Sequence, residues 1–286
     1  MNRLSGTGVA LVTPFNEDKT IDFDGLRSLL TYTGEFVDYF VVMGTTGESA
    51  TCSQQEKKEV LNFCRKNNPR NLPIVYGIGG NNTAAVIEEI KTTDLNGVTA
   101  ILSASPYYNK PSQAGIQAHF NAIATASPLP ILLYNVPGRT ASNMTAATTL
   151  ALATHDNIIG IKEASGDLKQ CKEIATHKPE EFLLISGDDL VTIDIIEMGG
   201  AGVISVLANG FPDSFSQSIK VALASDFVQG RKHLSVFEEV NPLLYEESNP
   251  VGIKAVLSLK GICGGDVRLP LLKASDSLNA RLSSLL

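Results

Sequence analysis

The sequence predicts an α/β protein: a (β/α)8 TIM barrel with an appended C-terminal helical region. Three observations carry that expectation. Short apolar runs rich in β-formers alternate with amphipathic stretches, nearly every run ends in a polar, glycine-bearing turn, and eight such runs can be placed along the chain. In order, the candidate strands are residues 8–13, 40–42, 74–78, 100–103, 131–134, 158–161, 183–186 and 203–205. Between them lie segments such as 53–66, 83–95 and 113–126, each long enough for three or more helical turns with one apolar face. Ser53 followed by Glu56 reads as a capping box that opens the first of these.

Eight parallel strands with intervening helices can close on themselves. An open doubly wound sheet more often announces itself by a glycine-rich dinucleotide loop after its first strand, and no GxGxxG with the right flanks occurs. The clusters Gly77-Ile78-Gly79-Gly80 and Gly199-Gly200-Ala201-Gly202 lack that spacing and read as tight turns between strand and helix. Beyond the eighth unit the pattern is helical with no further strand. The expected organisation is therefore a barrel carrying the active site over residues 1–229 and a helical region over 230–286. Asn241-Pro242 and Asn249-Pro250 act as helix punctuation there rather than as a linker.

With 286 residues, 43% of them hydrophobic, and a mean hydropathy of +0.08, the chain has material for one large core. No apolar run approaches the roughly 18–20 residues of a membrane span, and residues 1–8 lack the charged and apolar regions of a signal peptide. The expectation is a soluble, unprocessed, cytoplasmic protein. Cys52, Cys64, Cys171 and Cys263 show neither CxxC spacing nor paired histidines, so they read as reduced thiols, with no metal site and no disulfide framework. A net charge of −7 without a Lys/Arg block argues against nucleic acid or an anionic membrane as partner. An anionic substrate would then need a dedicated local cation.

Lys162 stands at the end of the run Ile158-Ile159-Gly160-Ile161, just before the polar turn Glu163-Ala164-Ser165-Gly166-Asp167. A lysine at the mouth of a buried strand is partly desolvated, and desolvation favours the neutral amine that attacks a carbonyl to form a Schiff base. Barrel enzymes place catalytic groups at the C-terminal ends of strands, so those ends are read together. They offer Gly44-Thr45-Thr46-Gly47-Glu48, Pro106-Tyr107-Tyr108-Asn109-Lys110-Pro111, Tyr134-Asn135-Val136-Pro137-Gly138-Arg139-Thr140, Lys162, and Gly187-Asp188-Asp189. Each taken alone also has a structural reading. Lys162 could snorkel into water, Tyr107 and Tyr108 could be interface or core aromatics, Thr45 and Thr46 could close a turn, and Arg139 could be a surface or helix-capping arginine. Asp188 and Asp189 read as caps of the next helix, and His119, His155, His177 and His233 lie away from strand ends.

Taken together, GTTGES, SPYYNKP, YNVPGRT and Lys162 resemble the family of lysine-dependent pyruvate aldolases, and within it the dihydrodipicolinate synthase branch rather than the N-acetylneuraminate lyases, over essentially the whole chain. The resemblance implies condensation of pyruvate with L-aspartate 4-semialdehyde in the diaminopimelate route to lysine, with no cofactor. It assigns Lys162 to the Schiff base, Tyr134 to proton movement, and Thr45 and Tyr108 to a hydroxyl relay. Thr46 would hold the pyruvate carboxylate, Arg139 the semialdehyde carboxylate in a bidentate pair, and Gly187 and Ile204 would line the pocket. In the family the tyrosine matching Tyr108 reaches in from a neighbouring subunit, which implies a homo-oligomer, commonly a tetramer built as a dimer of dimers. Feedback-regulated members bind L-lysine at positions matching Ser49, Ala50, Gln54, Lys57, Asn81, Ala85 and Tyr107. Here Ala85 replaces a glutamate that pairs with the ligand's amine and Lys57 replaces a histidine, and both changes disfavour a cationic ligand. Two other functions stay open at this stage. A sugar-acid lyase would keep Lys162 and Tyr134 but not need Arg139, and a non-catalytic small-molecule sensor could have retained the barrel.

Overall fold

The computed structural model describes residues 4–286. Eight parallel strands run in the order β1 Gly6–Ala10, β2 Tyr39–Val42, β3 Ile74–Gly77, β4 Ala100–Ala104, β5 Ile131–Asn135, β6 Ile158–Glu163, β7 Leu183–Ser186 and β8 Gly202–Ser205, and the sheet closes as a barrel. The helices are α1 Phe23–Gly34, α2 Gln54–Lys66, α3 Thr83–Thr92, α4 Gln113–Ala126, α5 Pro137–Thr140, α6 Ala146–Leu152, α7 Leu168–His177, α8 Thr192–Glu197, α9 Pro212–Leu223, α10 Phe227–Leu234, α11 Val240–Glu246, α12 Val251–Leu259 and α13 Asp276–Ser283. The expected (β/α)8 class with further C-terminal helices is the observed one. No helix among the described residues is long and apolar enough to cross a membrane.

By its internal contacts the chain forms two compact units, one up to Ile74 together with Ser205–Leu286, the other Val75–Ile204. In the first, β1 pairs β2 with Gly8 opposite Tyr39, α1 packs on α2, α9 on α10, and α12 on both α11 and α13. Leu29, Leu30, Phe40, Val41, Leu257 and Leu278 are wholly buried there. The capping box is present as read: Glu56 N–H donates to Ser53 Oγ at 3.2 Å, and Ser53 N–H donates to the Glu56 carboxylate at 2.8 Å.

In the second unit β3 to β8 pair in sequence, α4 packs on α3 and α6, and α7 on α6 and α8. Most strand boundaries differ from the sequence reading by one to three residues, and three differences have an identifiable cause or consequence. β1 begins two residues early, at Gly6, because Gly6 and Thr7 extend the sheet without adding apolar character. The segment expected over 83–95 ends at Thr92, where Thr92 and Thr93 turn their hydroxyls back onto the carbonyls of Glu88 and Glu89. The third matters most: β6 continues through Lys162 and Glu163, so Glu163 is a buried strand residue and not the start of a turn.

β5 and β6 carry a register irregularity at their lower end, since Ile131 faces Ile158 while Leu132 faces Gly160, leaving Ile159 unmatched. Gly160 is fixed by space. A Cβ there would stand 2.6 Å from both the carbonyl oxygen and the Cβ of Leu183 on β7. Gly160→Ala is expected to lower stability by about 1–3 kcal/mol through overpacking, measured as a shift in the urea unfolding midpoint; an unshifted midpoint would show that β7 yields at no cost.

Candidate active site

β6 delivers two consecutive polar side chains to opposite faces of the sheet, as strand alternation requires. Lys162 is 6% exposed, and no carboxylate pairs with it among the described residues. Its Nζ lies 4.4 Å from the centre of the Tyr134 ring, and Tyr134 is its register partner on β5. Gly187, just beyond β7, leaves room for the lysine stem: a Cβ at that position would come within 3.0 Å of Lys162 Cε. Ile204, in β8, is 1% exposed.

Glu163 faces the other way and is 1% exposed. Its carboxylate accepts from Asn135 Nδ2 at 3.0 and 3.1 Å, from Gln170 Nε2 on α7 at 2.9 Å, and from the Ser165 backbone N–H at 2.8 Å. Asn143 links the two amides, accepting from Asn135 Nδ2 at 2.7 Å and donating to Gln170 Oε1 at 2.9 Å. None of these residues was singled out from the sequence. The signal available was that Glu163 follows Lys162 without a turn-former until Gly166, which permits one more strand residue.

The remaining candidates of this unit are at the surface. Tyr108 is 88% exposed with φ 71°, Tyr107 is 44% exposed, and Asn81 Nδ2 donates to the Tyr107 carbonyl at 3.1 Å. Arg139, in the single turn of α5, is exposed and makes no ion pair among the described residues, and Ala85 lies exposed on α3. Asp188 and Asp189 do not cap α8, contrary to the sequence reading. The residue before that helix is Val191, and Asp188 instead accepts from the Leu190 N–H at 3.1 Å in a local turn. His119 is buried on α4 beside Thr83, and burial pushes its pKa down to about 4.

The first unit holds the loop Gly44-Thr45-Thr46-Gly47-Glu48 after β2. Thr45 is exposed, whereas Thr46 is 3% exposed and its hydroxyl accepts from Asn249 Nδ2 at 3.0 Å. Glu48, in left-handed backbone at φ 52°, is buried and paired at 2.5 Å with Lys254 of α12. Lys254 is wholly buried, also donates to the Asp266 carbonyl at 2.7 Å, and lies 4.3 Å over the Phe15 ring. Burial pushes the Lys254 pKa down while Glu48 acts to raise it. The Arg268 N–H takes the other Glu48 oxygen at 3.0 Å, and its guanidinium holds the Glu56 carboxyl down to about 2. Ser49, Ala50, Gln54 and Lys57 follow in the next turn and on α2, all at least partly exposed. The sequence reading treated Asn249-Pro250 as punctuation and assigned Lys254 and Arg268 nothing. Those partners lie some 200 residues from the loop, beyond the reach of any motif.

A buried lysine with no counter-ion among the described residues, set against a tyrosine ring at the C-terminal end of a barrel strand, is an arrangement suited to an amine that acts on a carbonyl group. The model of the dihydrodipicolinate synthetase family matches residues 3–286. A relative from Cytophaga hutchinsonii named 4-hydroxy-tetrahydrodipicolinate synthase is 52% identical over 279 residues, covering 97% of this chain and 94% of its own. The solved dihydrodipicolinate synthase of Acinetobacter baumannii, chloride inhibited and complexed with pyruvate, is 35% identical with a TM-score of 0.95, over 99% of this chain and 97% of that one. The enzyme from Cyanidioschyzon merolae with lysine bound gives 35% and 0.94, over 100% and 98%. The chain belongs to the dihydrodipicolinate synthetase family and is an enzyme of that family.

Removing Lys254 alone would leave the buried Glu48 carboxylate without its cation. Lys254→Met is expected to cost about 3–5 kcal/mol of stability, read from urea unfolding; a loss below about 1 kcal/mol would mean that Arg268 and the loop amides suffice to hold Glu48.

Proposed function

We propose that this enzyme condenses pyruvate with L-aspartate 4-semialdehyde, the 4-hydroxy-tetrahydrodipicolinate synthase reaction, through a Schiff base on Lys162. The observation that carries the reading is Lys162 itself, buried, free of an acid partner among the described residues and 4.4 Å from the Tyr134 ring. Lys162 Nζ adds to the ketone carbon of pyruvate, water leaves, and the resulting iminium accepts the electron pair released when a methyl proton departs. The enamine then attacks the aldehyde carbon. Because the iminium is the electron sink, the reading calls on no metal or organic cofactor. Tyr134 moves the protons of imine formation and of the new alkoxide, with Thr45 and Tyr108 completing a hydroxyl relay.

Thr46 holds the pyruvate carboxylate in this reading. Its support is the Asn249 amide, which occupies an acceptor position of the hydroxyl and leaves the hydroxyl proton for an incoming anion. Arg139, exposed and without an ion pair, is the cation for the semialdehyde carboxylate, a planar fork matched to a bidentate acceptor. Gly187 and Ile204 shape the pocket. The exposure of Tyr108 favours a homo-oligomer, a dimer of dimers, in which that side chain serves a neighbouring subunit. We assign the enzyme to the cytoplasm, where the free thiols of Cys52, Cys64, Cys171 and Cys263 would stay reduced.

Borohydride reduction in the presence of pyruvate, followed by intact-mass spectrometry, is expected to add one reduced pyruvate to the native chain and none to Lys162→Ala, whose turnover in a coupled assay with the semialdehyde should fall by at least about a thousandfold. An adduct that survives in the variant would move the nucleophile elsewhere; an adduct without turnover would change the aldehyde partner.

The lysine-binding positions of the family are altered at Ala85, which offers no carboxylate, and at Lys57, which adds a cation. L-Lysine is expected to leave the initial rate unchanged throughout the micromolar range, and half-inhibition within it would refute the reading of these two positions.

A further inference from the structure

We propose that Glu163 is a positioning residue for the Lys162 reaction: an acceptor-only hub that locks the upper ends of β5 and β6 in register and so holds the Lys162 amine against Tyr134. This inference rests on the Schiff-base reading above. All the groups that meet the Glu163 carboxylate are N–H donors, from Asn135 on β5, Gln170 on α7 and the Ser165 backbone. No basic side chain is among them. Donors arriving from three directions require a group with no proton of its own, which an ionised carboxylate satisfies and a carboxamide does not. A buried carboxylate held by neutral donors alone is a costly choice where an apolar strand residue would pack, so its place in the fold needs a reason beyond burial.

The register supplies that reason. Asn135 faces Glu163 one step beyond the pair formed by Tyr134 and Lys162. At their lower end the same strands are irregular, with Ile159 unmatched. A slip of one residue would send Lys162 to the helix face and Glu163 inward, because side chains alternate. The clamp fixes the choice from the other end. Asn135 spans the joint with its two N–H groups, one toward the carboxylate and one toward Asn143 Oδ1, while its own oxygen accepts from the Met144 N–H at 3.0 Å. Gln170 closes the ring by donating to both Glu163 and the Met144 carbonyl, the latter at 3.2 Å. Glu163 touches no reacting atom. Its effect reaches the reaction through the placement of its two neighbours.

The test is the single-turnover rate at which pyruvate is trapped on Lys162 by borohydride, with thermal unfolding measured alongside. Glu163→Gln keeps the shape but turns one acceptor into a donor facing donors. It is expected to slow trapping at least about tenfold, where a misplacement of about 1 Å can cost a reacting pair about a hundredfold. The double variant Asn135→Asp with Glu163→Gln restores an acceptor opposite the new donor and is expected to regain part of the rate, a recovery that a purely structural loss would not show. Should Glu163→Gln not fold, Gln170→Met removes one donor at the rim of the network and is expected to slow trapping by at least about threefold. Trapping within twofold of the native rate in a folded Glu163→Gln, or in Gln170→Met where that variant stands in for it, overturns the inference and leaves the Schiff base intact. Absence of any adduct on the native enzyme overturns the Schiff-base reading and this inference with it.

Discussion

A parallel barrel sheathed in helices buries both faces of its strands, so a polar side chain near a strand end must find its partner within the protein. Everything distinctive about this chain follows from how that constraint is met at the C-terminal ends of the strands. β6 meets it twice in succession. Lys162, on one face, is left without an acid and given an aromatic ring, an arrangement that withholds the usual neutralisation and keeps the amine free of an ion pair. Glu163, on the other face, receives donors from three directions. One strand thus carries a lysine without an ion pair among the described residues and a saturated carboxylate side by side, and the carboxylate anchors the backbone from which the lysine projects.

The loop after β2 solves the same problem with charge. Glu48 and Lys254 form a wholly buried pair at 2.5 Å, supplemented by the Arg268 N–H and the Asp266 carbonyl. Such a pair does little for net stability, since the desolvation of both ions offsets their attraction. What it supplies is a fixed position. Glu48 sits in left-handed backbone at the end of Thr45-Thr46-Gly47, and its anchor comes from α12, while the Asn249 amide on Thr46 comes from the turn between α11 and α12. The appended helical region therefore belongs to the working part of its unit. It fastens the loop whose hydroxyls are proposed to hold substrate.

The barrel class and the residues that bear the proposed chemistry were legible in the sequence because they depend on local patterns: apolar runs of strand length, turns after each run, and motifs whose members lie within six residues of one another. The capping box at Ser53 and Glu56 and the helix over 113–126 were legible for the same reason. What stayed hidden depends on distance or on ambiguity of a single residue. Glu163 looked like a turn because a charged residue after Lys162 usually marks the surface, and only Asn135 and Gln170, donors from two other elements, make it a strand residue. Asp188 and Asp189 looked like caps because Asp commonly caps; the helix after them starts three residues later than Asp188 would need. Asn249, Lys254 and Arg268 lie some 200 residues from Thr46 and Glu48, so no window of sequence contains both partners.

The division between buried and exposed candidates bears on which features can vary without loss of the fold. Lys162, Tyr134 and Thr46 are buried and each is held by a neighbour in its own unit, whereas Thr45, Tyr108 and Arg139 stand at the surface. A buried reactive group must satisfy the core as well as the chemistry, so changing it disturbs packing, register or a hydrogen-bond network together with activity. An exposed group on a loop answers only to what it meets in solution or in a neighbouring subunit. In the proposed reading, Arg139 and Tyr108 can therefore alter the aldehyde partner or the assembly while the amine chemistry persists. The altered lysine-binding positions fit the same rule, for Ala85 is exposed on α3 and contributes nothing to the core of its unit. In the proposed reading, regulation and specificity rest on exposed positions, where substitution leaves the core undisturbed. The proposed carbonyl chemistry is carried where the core encloses each residue.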